Sequence, residues 1–387
     1  MSHALITSDV LSWAIERSRL PISSVAKRIK ISADKLISWE KGQQLPSFNQ
    51  AKKLANILSI PFGYLYLSSP PKEKILIPDL RTIYDERYVK FSPNFHDLLD
   101  DILRKQEWYK DYLLANEEKS VAVIGKYQIS DNVMAVADNM RSILGIDAKV
   151  SSEARSWSDF LRKIITNAEE RGLIILRSGI VGSNTRRKLS VDEFRGFAIY
   201  DNYAPIIFIN STDAKTAQIF TLAHELAHLW LGKSGISNIN LRKLPREQNG
   251  EIEIFCDKVA AEFLVPENDF LLNWRQNLSI DKNLSMLVRQ FRVSSIVILR
   301  RAYDLNKITK TSFFEHYNQE LNNYIEFGKK SKGGNFHNSF WARNSNSIAG
   351  AIITSTMEGK TLYRDAARLL NVKVGTINKL ATTMGIR

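Results

Sequence analysis

The run Thr216–Gly232, TAQIFTLAHELAHLWLG, sets two histidines four residues apart inside an otherwise apolar stretch. Residues four apart on a helix share one face, so His224 and His228 can bring both imidazoles to a single point. Ile219, Phe220, Leu222, Leu226 and Leu229 would anchor that helix in a core, and Gly232 is a natural stop. Two neutral imidazoles at this spacing suit a cation. Zinc suits the arrangement, since it accepts neutral imidazole nitrogen at about 2.0–2.1 Å. Glu225, next to His224, is turned from it by roughly 100°. It can flank the metal without ligating it and take a proton from an attacking water.

Such a site needs a third protein ligand and one open position. The single cysteine of the chain, Cys256, excludes a cysteine-rich zinc site and any internal disulfide. The acidic options lie in EIEIFCDKVAAEFLVP (251–266), which reads as a second helix ending near Pro266. Spacing leaves Glu251, Glu253, Asp257 and Glu262 all open. Cys256 itself reads as a small buried hydrophobe on the core face.

Around this centre the 387 residues fall into four segments. Residues 1–70 form an all-helical unit closed by the proline-serine hinge Ser68-Ser69-Pro70-Pro71-Lys72. Residues 71–150 read as a helical bridging region rich in charge pairs. Residues 151–327 are mixed: a helix through Trp157–Arg171, strand-like GLIILR (172–177), GFAIYD (196–201) and PIIFIN (205–210), then helices to about 326. GFAIYD or PIIFIN is expected to offer a free edge on which an extended peptide can pair. Residues 328–387 open with GKKSKGGN, a linker pattern, and end in a small helical unit. The expected fold class is α+β and mostly helical. No apolar run approaches a membrane span, and the N-terminus lacks the pattern of a secretory signal. The expected location is the cytoplasm.

The paired motifs FTLAHELAHLWLG and E-x(6)-AAEFLVP resemble those of ImmA/IrrE-type metallopeptidases, from about residue 190 to 305. The second family helix carries a glutamate ligand followed by an Ala-Asn pair, Phe-Ala-Ala and Leu-Leu-x-Pro. Here Cys256-Asp257 stands for Ala-Asn and Val259 for the Phe, while Ala260-Ala261 and Leu264-Val265-Pro266 match. The resemblance therefore places the third ligand at Glu253. It implies a zincin-like domain with one zinc per chain, held by His224, His228 and Glu253, and Glu225 as the catalytic base. LSMLVRQFRVSSIVILRRAYDL (284–305) resembles the helical pair that follows, and IPDLRT (77–82) resembles the bridging region of larger members more weakly. Tyr200 and Tyr203 are candidates for stabilising an oxyanion.

The net charge of +13 is uneven. Residues 1–75 carry +6 and residues 321–387 carry +7, leaving the middle neutral. Basic ends around a neutral centre point to a polyanion partner. Residues 22–67 resemble a lambda-repressor-like (XRE) helix-turn-helix. Ser23 or Ser24 would cap VAKRIKI and Ser32 would cap ADKLISWEKG, with Val25, Ala26, Ile29, Leu36, Ile37 and Trp39 packing the pair. The resemblance sets Ala33, Asp34 and Ser38 towards base edges and Lys35 and Lys41 near phosphates. None of the first three is an Arg, Gln or Asn able to make a bidentate base contact. Either the unit binds DNA mainly through phosphates, or the same helix docks a protein. The tail TLYRDAARLLNVKVGTINKLATTMG (361–385) has a second helix-turn-helix cadence, a pattern that plain helix packing also produces.

The leading functional expectation is a zinc endopeptidase acting on a protein. The resemblance implies a helix-turn-helix repressor as that protein, in stress response or mobile-element control. The alternative is a transcription regulator whose zinc is structural or sensory, and a third is a toxin or defence effector with the same chemistry.

Overall fold

The structure, a computed structural model, describes residues 3–71, 91–237, 250–327 and 336–386. The expected linker at 328–335 and IPDLRT (77–82) lie outside the described residues. The described residues up to Leu99 form one compact unit and those from Asp100 a second.

The first unit is built from α1 (Ser8–Ser18), α2 (Ile22–Ile29), α3 (Ala33–Glu40), α4 (Phe48–Leu58) and a 3₁₀ turn (Phe62–Tyr66). Leu11, Val25, Ala26, Ile29, Leu36, Trp39, Leu54 and Leu58 close its core. Lys30, in the left-handed conformation at φ 67°, ends α2. The Ser32 hydroxyl caps α3 by accepting from the Lys35 N–H at 3.3 Å. The expected caps Ser23 and Ser24 lie inside α2 instead. The helix begins at Ile22 after Pro21, whose fixed φ starts the turn without a side-chain cap.

Helix α5 spans Pro93–Ala115. There follow α6 (Val133–Leu144), α7 (Ala148–Glu153) and α8 (Trp157–Glu169), then strands β1 (Ile174–Ser178), β2 (Ile180–Val181), β3 (Asn184–Lys188), β4 (Gly196–Ile199) and β5 (Ile206–Asn210). After these come α9 (Lys215–Trp230), β6 (Gly235–Ser237), α10 (Glu251–Leu264), α11 (Glu267–Asn273), α12 (Ile280–Phe291), α13 (Ser295–Asp304) and α14 (Lys310–Phe327). The chain closes with α15 (Phe336–Asn344), α16 (Asn346–Met357), α17 (Tyr363–Leu369), a 3₁₀ turn (Val374–Thr376) and α18 (Ile377–Thr383).

The main sheet has the order β1-β5-β4-β6, with β1 parallel to β5 and the other pairs antiparallel. Every residue of β4 and β5 is buried, which is why both read as unbroken apolar runs. This overturns the free-edge expectation for GFAIYD and PIIFIN. Both strands are paired on two sides, and among the described residues the edges are β1 and β6. Phe197 stacks on Phe208 across one face at 5.1 Å. Ala198, Ile207 and Ile209 join the core that also holds Ile219, Leu222, Ala223 and Leu226 of α9. Helix α10 packs on α9, and α6 packs on α10. Two side chains tie these layers: Trp230 Nε1 donates to Asn139 at 3.0 Å and Arg141 to the Phe263 carbonyl at 2.7 Å.

Candidate metal centre and active site

Helix α9 is apolar almost all round and buried from Ala217 to Trp230, so it runs through the core. It ends as the sequence requires. Gly232 takes φ +64° and the Lys233 N–H returns to the His228 carbonyl at 3.0 Å, closing the last turn. The same glycine lets the chain pass Gly125, whose Cα a side chain at 232 would meet at 3.0 Å.

Within this helix His224 and His228 share one face, and their Nε2 atoms stand 3.1 Å apart. Glu253 reaches them from α10, with Oε1 at 3.0 Å from His228 Nε2 and Oε2 at 3.3 Å from His224 Nε2. All three side chains are buried. In a tetrahedral zinc site with ligands at about 2.0–2.2 Å, ligand atoms lie roughly 3.3–3.6 Å from one another. The observed triangle is close to that size. Two imidazole nitrogens and a carboxylate converge on one point in a dry interior, and a single cation there satisfies all three lone pairs at once. The residues present fit a divalent metal.

Asp257, one turn beyond Glu253 on α10, meets the other edge of His224, with Oδ1 2.9 Å from Nδ1. An Nδ1–H donated there leaves the Nε2 lone pair pointing into the triangle. Asp257 was open in sequence as a ligand; the structure gives it the orienting position instead. Its spacing of four from Glu253 is the signal for that place, since both carboxylates then face α9. Glu262 is turned away. It pairs with the Arg301 guanidinium, and its Oε1 accepts the Glu267 N–H at 3.0 Å at the start of α11. Glu251 is exposed at the first turn of α10.

Charges in the cluster are strongly linked. Burial works against charge on Glu253, yet the two histidines hold its carboxyl down to about 2. Burial also draws His224 down, but Glu253 and Asp257 carry its imidazolium well above the ordinary value. His228 is held low by burial, which outweighs its hydrogen bond to the Glu253 carboxylate, and the charge of His224 adds to the lowering. Burial, then the charges of Glu253, Asp257 and Glu225, push the Cys256 thiol far up, so it remains protonated. It sits in the core as the small hydrophobe the sequence implied.

Glu225 is wholly buried where α9 crosses the start of β4. The helix-facing positions of β4 are Gly196 and Ala198, the smallest available, and a Cβ at 196 would meet Thr221 Cγ2 at 2.6 Å and Glu225 Oε1 at 3.1 Å. The missing side chain therefore makes room for the Glu225 carboxylate. A single sequence holds no sign of this beyond a glycine opening a strand.

Residues 168–303 match the family model of the IrrE N-terminal-like domain, Peptidase_M78. This segment is an ImmA/IrrE-type metallopeptidase domain. The match starts some twenty residues ahead of the resemblance read from the motifs and takes in β1 to β3. A second model, a domain of unknown function (DUF8813), matches residues 344–383. No curated protein matches the chain at a significant level.

The tyrosines stand apart from the metallopeptidase centre. Tyr200 follows the far end of β4, about 13 Å along the strand from Gly196. Its hydroxyl donates to Asn202 at 2.8 Å and its ring lies over Gly125 and Gly232. Tyr203 follows in the adjoining turn, where its N–H donates to Asp201. Both lie between β4 and β5, at the end of β4 opposite the Gly196–Glu225 crossing. In the first unit, Asp34 and Lys35 are exposed on α3, as is Lys41 at its end, and Ser38 is half-buried. Ala33 is half-buried and packs against the core of that unit.

Proposed function

We propose that the chain is a zinc-dependent endopeptidase whose substrate is a protein, a DNA-associated helix-turn-helix regulator, within stress response, mobile-element control or a toxin or defence system. The observation that carries the peptidase reading is the buried triangle of His224, His228 and Glu253 on the helix that also carries Glu225. A structural zinc site has no need of Glu225. One zinc per chain is the expected load, and bound zinc supplies Lewis-acid polarisation of the scissile carbonyl and acidifies a water.

The protein residues do the rest. Glu225 accepts the proton of the attacking water and returns it to the departing amine. Asp257 holds the His224 ring in register. Strand β6, an edge among the described residues, pairs with β4 from Gly196 to Ala198, directly beside the Glu225 crossing, and is the strand suited to receive an extended peptide through main-chain hydrogen bonds. The substrate class rests on the family resemblance. The α2–α3 pair supports it by offering a means to reach DNA on which such a regulator sits.

The test is direct. The purified zinc-loaded chain is incubated with helix-turn-helix proteins encoded beside its gene, and fragments are read by mass spectrometry with and without a zinc chelator. A cut that the chelator blocks is the expected result. Intact regulators alongside another cut protein would remove the substrate assignment and leave the peptidase.

A further inference from the structure

The C-terminal helices repeat the turn geometry that joins α2 to α3, with a 3₁₀ turn (Val374–Thr376) standing where the first turn of α3 is α-helical. In the first unit, buried Val25, Ala26 and Ile29 lead to Lys30 at φ 67°, the Ile31 N–H returns to the Ala26 carbonyl at 3.1 Å, and extended Ser32 opens α3 with Leu36 and Trp39 buried. In the tail, buried Ala366, Ala367 and Leu370 lead to Asn371 at φ 54° and the Val372 N–H returns to the Ala367 carbonyl at 2.9 Å. Extended Lys373 then opens the turn into α18, with Ile377 and Leu380 buried. Every one of these positions is separated from its counterpart by the same number of residues. Helix α16 supplies the third wall through Ile348, Ile352 and Ile353 and packs on both α17 and α18.

This packing points one face of the second helix outward. Lys373, Gly375, Asn378, Lys379 and Thr382 are exposed there, and Val374 is the one apolar side chain among them, at 49% exposure. Arg364 and Arg368 are exposed on α17. Residues 359–386 hold five Lys/Arg and a single acid, Asp365, which lies 3.8 Å from Arg364. Among the described residues, no ion pair engages Lys373, Lys379 or Arg368. The turn itself is fixed to the body of the unit. Asn371 donates to both Asp101 oxygens at 3.0 Å, and the Ser183 hydroxyl donates to its carbonyl. That anchorage leaves the outer face of α18 open.

We propose that residues 344–383 are a second nucleic-acid-binding element, which sets α18 in the major groove of duplex DNA. Asn378 and Lys379 address base edges, Asn being the side chain that pairs bidentately with adenine and Lys one that reads guanine. Lys373, Arg364 and Arg368 meet phosphates. The comparison with α3 shows why the tail is the better reader of the two. Where α3 carries Asp34, Ile37 and Ser38, the tail carries Gly375, Asn378 and Lys379. An acid at a position set towards base edges is replaced by glycine, and two side chains able to read bases are added.

The test uses the full chain and a fluorescent random-sequence DNA duplex, with anisotropy followed between about 50 and 200 mM salt. Lys373→Glu/Lys379→Glu should lower affinity about tenfold or more at the lowest salt and reduce the salt slope by about one, for the phosphate contact of Lys373. Metal content and melting temperature should stay at wild-type values. Lys35→Glu/Lys41→Glu, measured in parallel, reports the N-terminal unit. Asn378→Ala should keep the salt slope but change the sequences selected from a random pool. The proposal is overturned if wild type binds no duplex at low salt, if Lys373→Glu/Lys379→Glu binds as wild type does, or if the sequences selected by Asn378→Ala are unchanged. Tighter binding of an RNA hairpin than of DNA would overturn it as well.

Discussion

The Asp257 carboxylate meets His224 Nδ1 at 2.9 Å, on the side of the ring opposite the one that faces Glu253. One helix, α10, thus supplies both a donor for the metal and the group that aims another donor. The two roles predict different losses. Glu253→Ala removes one of three protein ligands and should leave the purified protein without stoichiometric metal. Asp257→Ala leaves the ligand set complete, so it should retain metal with affinity lowered about 10–100-fold. Chelator competition separates the cases. Loss of metal in Asp257→Ala together with normal affinity in Glu253→Ala would exchange the two assignments.

Metal uptake should release protons near neutral pH. In the metal-free chain His224 is carried well above its ordinary value by Glu253 and Asp257, so its imidazole is charged at pH 7. A ligand nitrogen must be neutral, so binding expels that proton, and affinity rises with pH until the metal-free His224 has itself deprotonated. Glu253, at about 2, is already ionised and adds nothing to the release. Calorimetry in buffers of different ionisation enthalpy should report about one proton per metal at pH 7. A heat independent of buffer would show a neutral His224 before binding.

Gly196→Ala tests the close crossing of α9 over β4. The added methyl would stand 2.6 Å from Thr221 Cγ2 and 2.9 Å from the Phe208 carbonyl, so either the helix or the strand must move. Overpacking of this kind costs about 1–3 kcal/mol, and here the shift also displaces Glu225. Both the melting temperature and turnover should fall. Adding Thr221→Ser deletes the nearer obstacle and should restore part of each. A Gly196→Ala protein with wild-type stability and turnover would mean that the crossing has slack.

What could be read from the chain alone followed the range of the interactions involved. The α9 histidines, Glu225 and the α10 carboxylates were legible because i, i+4 spacing fixes a face whatever surrounds it. The strands 174–178, 196–199 and 206–210 were legible from Ile and Phe runs, whereas their pairing was not. Which strands form the edges depends on β1 pairing with β5 across thirty residues and on β6 returning after α9, and no local pattern records either. Strands β2 and β3 escaped notice because Asn184–Lys188 is polar and largely exposed, and β6 because three residues carry no period. The cap expected at Ser23 or Ser24 failed for a local reason, since Pro21 starts the helix two residues earlier.

Glu225→Gln decides between a peptidase and a zinc-stabilised regulator. The substitution keeps the volume and shape of a side chain that lies wholly buried beside Gly196, so the fold should hold. It takes no donor from the triangle of His224, His228 and Glu253, so metal content should also hold. What it removes is the basic oxygen that accepts a proton. Loss of a general base typically costs about 10² to 10⁴ in rate, which would be plain in the fragments seen by mass spectrometry of cells expressing each form. DNA binding should be unchanged, because the basic residues proposed for it lie on α2–α3 and on α17–α18. If both strains show the same full phenotype and neither contains a newly cut protein, the enzyme reading fails and the regulator reading takes its place. If the variant is folded and metal-loaded yet cuts as fast as wild type, the base is another group, and Glu225 is left as a structural carboxylate facing β4.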